Sequence, residues 1–350
     1  EIADVIELQR RSGMWGLGIR KYNGLDTSPS VGSQLELTWP TPSFLSSMDT
    51  ARATRADLLD PATIAALGRI EVTARWIVDG FLSGLHRSPR KGFSVEFAEH
   101  RPYQAGDEPR HVDWKLAARA DRWAVKQYEE ETNLRATIVL DVSRSMAWSG
   151  ALARLTKLAY AERLAAAIAL LFLRQRDAVG LVRFDDVVRS SVPPRVRTGQ
   201  WVRLVAALEE PGSGHASHAA TALEAAGRLI ARRGMVVLIS DLLMDPEAVV
   251  STVRGLRHAG HQVVVMHVLD PAELDLPQSN EALFVDPESG VEVAATVADV
   301  RAAYQATVRD AMTEWRRAFT AYGASYEPVI TDAPFGVALR RAFSARQEAP

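Results

Sequence analysis

Asp141, Ser143 and Ser145 stand at alternate positions in the stretch Asp141-Val142-Ser143-Arg144-Ser145, directly after the apolar run ATIVL. At this spacing, a loop leaving a strand can turn three oxygens toward one point. A second carboxylate, Asp241, follows another apolar run, MVVLIS. In doubly wound sheets ligands bind beyond the carboxyl ends of the strands, so the two aspartates are expected on one edge. Like charges held there repel unless one is protonated or a cation bridges them. Carboxylate and hydroxyl oxygens are hard donors that suit Mg²⁺, Mn²⁺ or Ca²⁺ rather than zinc. So few protein oxygens leave coordination positions open for water or for a partner's carboxylate. The plainer reading has Asp141 capping the next helix and the serines filling a polar loop. It leaves Asp241 without a role.

Alternating strands and helices must position these groups. From residue 135 onward the chain reads as buried strand ATIVLDV, apolar helix 155–174, strand AVGLVRF, and then RSSVPPRV, whose two prolines restrict it to a sheet edge. Helices over 200–209 and 219–233 precede strand MVVLISDLL. Asp245-Pro246 starts a further helix, with Asp as cap and Pro at the first helical position. Strand QVVVMHVLD, a hairpin in ALFVDPESGVEVAAT, a long helix marked by Tyr304, Val308, Trp315 and Phe319, strand SYEPVIT and a helix over 335–347 complete the pattern. Such alternation predicts an α/β fold with a doubly wound, mostly parallel sheet covered by helices on both faces.

The segment ahead of it differs. Residues 1–56 carry Ser, Thr, Gly and Pro clusters without sustained periodicity and are expected to be mostly disordered. Met48 is a natural start ahead of the first clear helix, which Asp60-Pro61 opens and Gly84 closes. Residues 57–134 read as that helix plus a small β-rich unit, and 135–350 as the larger domain.

Composition removes several function classes. There is no cysteine, so disulfides, thiolate zinc sites and a cysteine nucleophile are excluded. A formal net charge of −2 gives no global attraction to nucleic acid or to an anionic membrane. The most apolar stretch, Leu164 to Leu173, is too short to span a bilayer and reads as a buried helix. The expected location is cytoplasmic. No GxxxxGK[ST], GxSxG or GxGxxG motif occurs.

Asp141, Ser143 and Ser145 resemble the metal-ion-dependent adhesion site (MIDAS) of the von Willebrand factor A fold. That fold also uses a threonine before a helix and an aspartate after a later strand. Asp241 matches the aspartate. Ser217 best matches the threonine, because Ala222-Leu223 follows at the family's spacing, with Thr221 as the alternative. Where the family often has glycine after the late aspartate, this chain has Leu242.

Upstream, SVEFAEHRPYQAGDEPRHVDWKLAARADRWAVKQYEEE resembles the hallmark region of the bacterial family known as domain of unknown function 58, through Arg101, Tyr103, Gly106, Asp107, Arg110, Asp113, Trp114 and Arg119. The resemblance spans residues 57–347. It implies a partner or adaptor role with a MoxR-type AAA+ ATPase, in chaperone-like maturation of a client protein; together with the metal-site residues, the chain is read as a non-catalytic, metal-dependent interaction module. Many relatives carry transmembrane helices ahead of this region; here none is read, and the short soluble type is expected.

Two alternatives remain open: a metal-dependent hydrolase acting on phosphoesters, and a structural scaffold with a vestigial metal site. The charged cluster around Arg101 and Asp113 is expected to tie the small unit to the larger domain, with Trp114 and Trp123 as packing residues. The HxxH pairs His215/His218 and His258/His261 lack further zinc ligands at suitable spacing.

Overall fold

The computed structural model describes residues 18–21, 69–85, 100–102, 124–126, 134–150, 155–212, 219–275, 281–285 and 292–340. Along the chain these form β1 (Gly18–Lys21), α1 (Ile70–Leu85), β2 (His100–Pro102), β3 (Ala124–Lys126), β4 (Arg135–Asp141), α2 (Lys157–Arg174), β5 (Ala178–Phe184), β6 (Val188–Arg195), α3 (Gln200–Leu208), α4 (Ala219–Arg228), β7 (Met235–Ser240), α5 (Pro246–His258), β8 (Gln262–Leu269), α6 (Pro271–Leu274), β9 (Glu281–Val285), β10 (Glu292–Thr296), α7 (Val297–Ala321) and β11 (Ser325–Ile330).

Six strands make the central sheet, in the order β11-β8-β7-β4-β5-β6. All neighbours are parallel except β6, which pairs antiparallel with β5 at one edge. The prolines of β6 account for its place, since a proline cannot donate to a second neighbour. Successive crossovers run outward in both directions from β4, so the order reverses between β4 and β7. In doubly wound sheets a reversal of this kind marks the ligand-binding crevice, which falls here at the carboxyl ends of β4 and β7. The expected doubly wound sheet is present.

Alternate residues of β4 face opposite sides. Ile138 and Leu140 enter one buried cluster with α1, α2 and α3, while Val139 enters a second with α4, α5 and the Trp315–Phe319 turn of α7. Each such side chain contributes roughly 1.5–3 kcal/mol through its removal from water.

Helix α1 is expected from the sequence to lead the small upstream unit, yet Ile70, Ala74, Ile77, Val78 and Phe81 join the core cluster of the large sheet. This explains why α2 is buried on nearly all sides: one face meets the sheet and α1 covers the other. Strands β2 and β3 pair antiparallel with each other. Within the span expected to be disordered, β1 pairs antiparallel with β9, which also pairs with β10. Four residues whose partner lies far along the chain give no local periodicity to read. The rest of residues 1–56, the Asp60-Pro61 helix start, the hallmark residues from Tyr103 to Arg119, and Trp123 lie outside the described residues.

Candidate metal centre

Asp141 is the last residue of β4 and Asp241 the first after β7, so both emerge at the crevice between these strands. Asp141, Ser143, Ser145 and Asp241 are 0–4 % exposed. Asp141 is held at both oxygens. The Ser143 N–H donates to Oδ1 at 2.9 Å and the Ser240 hydroxyl to Oδ2 at 2.6 Å. Ser240 Oγ in turn accepts from the Leu242 N–H at 2.9 Å. Asp241 Oδ1 accepts from the Leu243 N–H at 3.2 Å.

The Ser143 and Ser145 hydroxyls lie 3.1 Å apart. Ser143 precedes the short 3₁₀ turn Arg144–Ala147, but its side chain makes no capping hydrogen bond there. The α-helix that follows, α2, is capped by Thr156, whose hydroxyl accepts from the Ala159 N–H, so Asp141 does not cap it. The two hydroxyls face each other beside Asp141 and are the neutral oxygens of the candidate donor set. Burial and the neighbouring charge of Asp241 push Asp141 up from 3.8 to about 7, against the pull of its hydrogen bonds from Ser240 and Ser143. Two desolvated carboxylates repelling each other, beside two hydroxyls unused for capping, are a donor set that fits a hard divalent cation.

The structure adds a group that sequence reasoning missed. Lys157 Nζ donates to Asp241 Oδ2 at 2.8 Å and to Glu273 Oε1 at 2.6 Å, and all three side chains are at most 2 % exposed. Burial would strip the ammonium of its proton, but Asp241 and Glu273 outweigh it and raise the Lys157 pKa. Glu273 is pushed up to about 7, chiefly by burial, with Lys157 pulling the other way. Glu273 is also fixed locally: the backbone N–H of Asp270 donates to its Oε2 at 2.7 Å, in a capping box that starts α6. Two signals were present in the sequence. Lysine at the first position of α2 sits against the positive end of the helix dipole, and Asp270-Pro271-Ala272-Glu273 has the spacing of a capping box.

Behind Asp241 stands a buried relay. His267 Nε2 lies 3.0 Å from the Asp241 carbonyl oxygen, and Nδ1 2.7 Å from the Tyr326 hydroxyl. Burial pushes His267 down to about 4, so the ring is neutral near pH 7. A carbonyl can only accept, so Nε2 carries the proton and Nδ1 accepts from Tyr326. The relay thus ties the Asp241 backbone through β8 to the edge strand β11.

Leu242 has φ +56°, in the left-handed region, and its side chain is fully buried. The backbone shape that favours glycine is kept despite the leucine.

Ser217 lies outside the described residues, as do His215 and His218. Thr221, the alternative to Ser217, is exposed on α4. His258 is at the exposed end of α5, with Nδ1 2.9 Å from the Arg254 carbonyl oxygen, while the His261 ring is buried. Among the described residues, no group of three or more His, Cys, Asp or Glu is placed to hold a metal ion. The candidate set has two carboxylates, and Glu273, the third acidic group nearby, is turned to Lys157.

Comparison with known proteins adds the following. A family model described as protein of unknown function DUF58 matches residues 99–314. Uncharacterized proteins of Mycobacterium tuberculosis and Mycobacterium bovis are each 34% identical over 244 residues, covering 68% of this chain and 74% of the relative. Among solved structures, an aerotolerance-related membrane protein from Bacteroides fragilis is similar at 18% identity with a TM-score of 0.42, over 62% of this chain and 100% of that one. The SpRpn10 VWA domain matches at 11% identity with a TM-score of 0.33, over 62% and 96%. An uncharacterized membrane-spanning protein from Vibrio fischeri matches at 13% identity with a TM-score of 0.21, over 61% and 98%. The expectation of a cytoplasmic location is corrected by these matches, because two of the similar structures belong to membrane proteins. Among the described residues, no helix is long and apolar enough to cross a membrane.

Proposed function

The chain belongs to the family described as protein of unknown function DUF58, and from that premise we propose that it is a non-catalytic interaction module that docks a protein partner through a divalent cation. The carrying observation is Asp141, buried at the switch point of a von Willebrand factor A-like sheet and pushed up to about 7 by burial and by Asp241. Mg²⁺ or Mn²⁺ at this point would offset both carboxylates and present an open coordination position to an Asp or Glu of the partner.

The chain's own residues prepare that role. The Ser143 N–H and Ser240 hydroxyl orient Asp141, the Leu243 N–H orients Asp241, and the hydroxyls of Ser143 and Ser145 supply neutral donors. Ser217 completes the set by resemblance. Because the four described residues are buried, docking of a partner's carboxylate must be coupled to local opening of the crevice.

Two neighbouring groups count against hydrolysis. Both ring nitrogens of His267 are engaged, and Lys157 is shared between two carboxylates. Neither is free to take a proton from an attacking water. The first partner to test is a MoxR-type AAA+ ATPase, which the family resemblance implies, with a client protein for maturation second. In a pull-down, the ATPase should bind the full chain with Mg²⁺, lose binding with EDTA, and fail to bind Asp141→Ala or Ser143→Ala proteins with native circular dichroism. Equal capture with and without metal would place the interface elsewhere.

A further inference from the structure

We propose that Lys157 is a resident cation of the crevice: it occupies one oxygen of Asp241, keeps the acidic cluster folded without metal, and holds the site's affinity for divalent ions low. This rests on the reading of Asp141 and Asp241 as metal ligands.

Three observations point to it. Lys157 is fully buried and donates to Asp241 and Glu273 at 2.8 and 2.6 Å, the geometry of charge-assisted hydrogen bonds. It opens α2, where the helix dipole disfavours a cation, so the carboxylates and not the helix account for its placement. Both acceptors are themselves positioned, Asp241 by the Leu243 N–H and Glu273 by the Asp270 N–H. The ammonium is thus held by two acceptors that are fixed from other elements.

The charge balance shows the consequence. Asp141, Asp241 and Glu273 together face one ammonium, a formal charge of −2 when all carboxylates are ionised. A divalent ion could be matched by that charge, but it would approach Asp241 against a cation already hydrogen-bonded to Oδ2. Repulsion of this kind is weakly screened in a buried site. Lys157 therefore lets the chain fold before any metal binds and makes metal occupancy sensitive to the ion's concentration.

The test is Mn²⁺ binding to the full chain by electron paramagnetic resonance titration, with circular dichroism as the fold check. Lys157→Met should tighten Mn²⁺ binding by about tenfold or more, the scale of one unscreened like charge removed from a buried site. Glu273→Gln should weaken it, because the ammonium then faces one carboxylate fewer. The double variant Lys157→Met/Glu273→Gln has the same formal charge as the wild type but an uncovered Asp241, and should bind more tightly than wild type. It also removes both members of one buried pair, so it remains informative if Lys157→Met alone does not fold. Folded lysine variants that bind Mn²⁺ no more tightly than wild type, with wild-type binding still dependent on Asp141, would overturn the role of Lys157 and leave the metal reading standing. Binding in Lys157→Met but not in wild type would support the resident cation and remove metal-dependent docking by the native chain. No binding in any variant would overturn both.

Discussion

Lys157 Nζ lies 2.8 Å from Asp241 Oδ2, with both side chains at most 1 % exposed, although the two residues are 84 positions apart in sequence. An ammonium from the first turn of a helix reaches a carboxylate at the end of a strand, in the crevice where the strand order reverses. The contact is paired again at Glu273.

Removing the lysine should be costly when no metal is present. Truncating one partner of a buried ion pair leaves an uncompensated charge, at a cost of about 3–5 kcal/mol. Lys157→Ala is therefore expected to lose stability of that order in urea denaturation with EDTA, and to recover part of it in millimolar Mn²⁺. A loss below about 1 kcal/mol, the value of an exposed pair, would mean the contact is not held as described.

The pH dependence of Asp141 has a definite sign. The folded carboxyl titrates near 7 and the unfolded one near 3.8. Between these values the folded chain holds a proton that the unfolded chain has released, so stability falls as pH rises through that window. The penalty is absent below about pH 4 and complete above about pH 7, on the order of a few kcal/mol. Glu273 acts in the same direction. His267, depressed to about 4, acts oppositely, giving stability above its ordinary pKa that is lost as pH falls toward 4. The difference between Asp141→Asn and wild type isolates the first group. In EDTA the variant should gain on wild type from pH 4 to 7 and hold a constant advantage above. A difference that does not change with pH would contradict the burial and repulsion assigned to Asp141.

Leu242 should invert a usual ranking. Its φ of +56° disfavours any residue with a Cβ, by about 1–2 kcal/mol. Its side chain is buried in the cluster around Val139, Phe184 and Val249, so truncation also leaves a cavity. Both Leu242→Ala and Leu242→Gly lose the packing, but only glycine relieves the backbone. Glycine is expected to be the more stable of the two by thermal melting, opposite to the order found in ordinary helix or strand positions. Alanine as the more stable variant would mean the left-handed backbone is not kept in solution.

Tyr326→Phe removes the donor to His267 Nδ1 and leaves a buried nitrogen unpaired, a loss of about 1–3 kcal/mol. Nitrogen NMR of the His267 ring should show the Nε2–H tautomer in wild type and a tautomer mixture in the variant. A wild-type Nδ1–H tautomer would break the proposed relay to the Asp241 carbonyl.

The legibility of this molecule follows the range of its interactions. Strand β5 coincides with the run AVGLVRF, β6 falls at the edge its prolines require, and Asp245 caps α5 by accepting from the N–H groups of Glu247 and Ala248. These are local signals. Asp141 and Asp241 were legible because each ends an apolar run, so their meeting follows from the sheet alone. Lys157 and Glu273 meet across 116 positions, and no periodicity encodes that pairing. Sequence proximity places helix α1 with the upstream unit, because nothing local says which face of a distant sheet needs a cover. The clue in the sequence is the run Leu164–Leu173 of α2, apolar at every position, since a helix stretch apolar on all sides requires a second covering layer.

The central claim is that Asp141 and its neighbours hold a divalent ion in the native chain. Its most direct test is the melting temperature of the full chain, wild type and Asp141→Ala, measured in EDTA and across a Mn²⁺ titration. Only the folded state assembles the donors, so bound metal stabilises by mass action. Wild type should melt at progressively higher temperature as Mn²⁺ rises, while Asp141→Ala shows no shift and melts no lower than wild type in EDTA. Equal Mn²⁺-induced shifts in the two proteins would contradict the account.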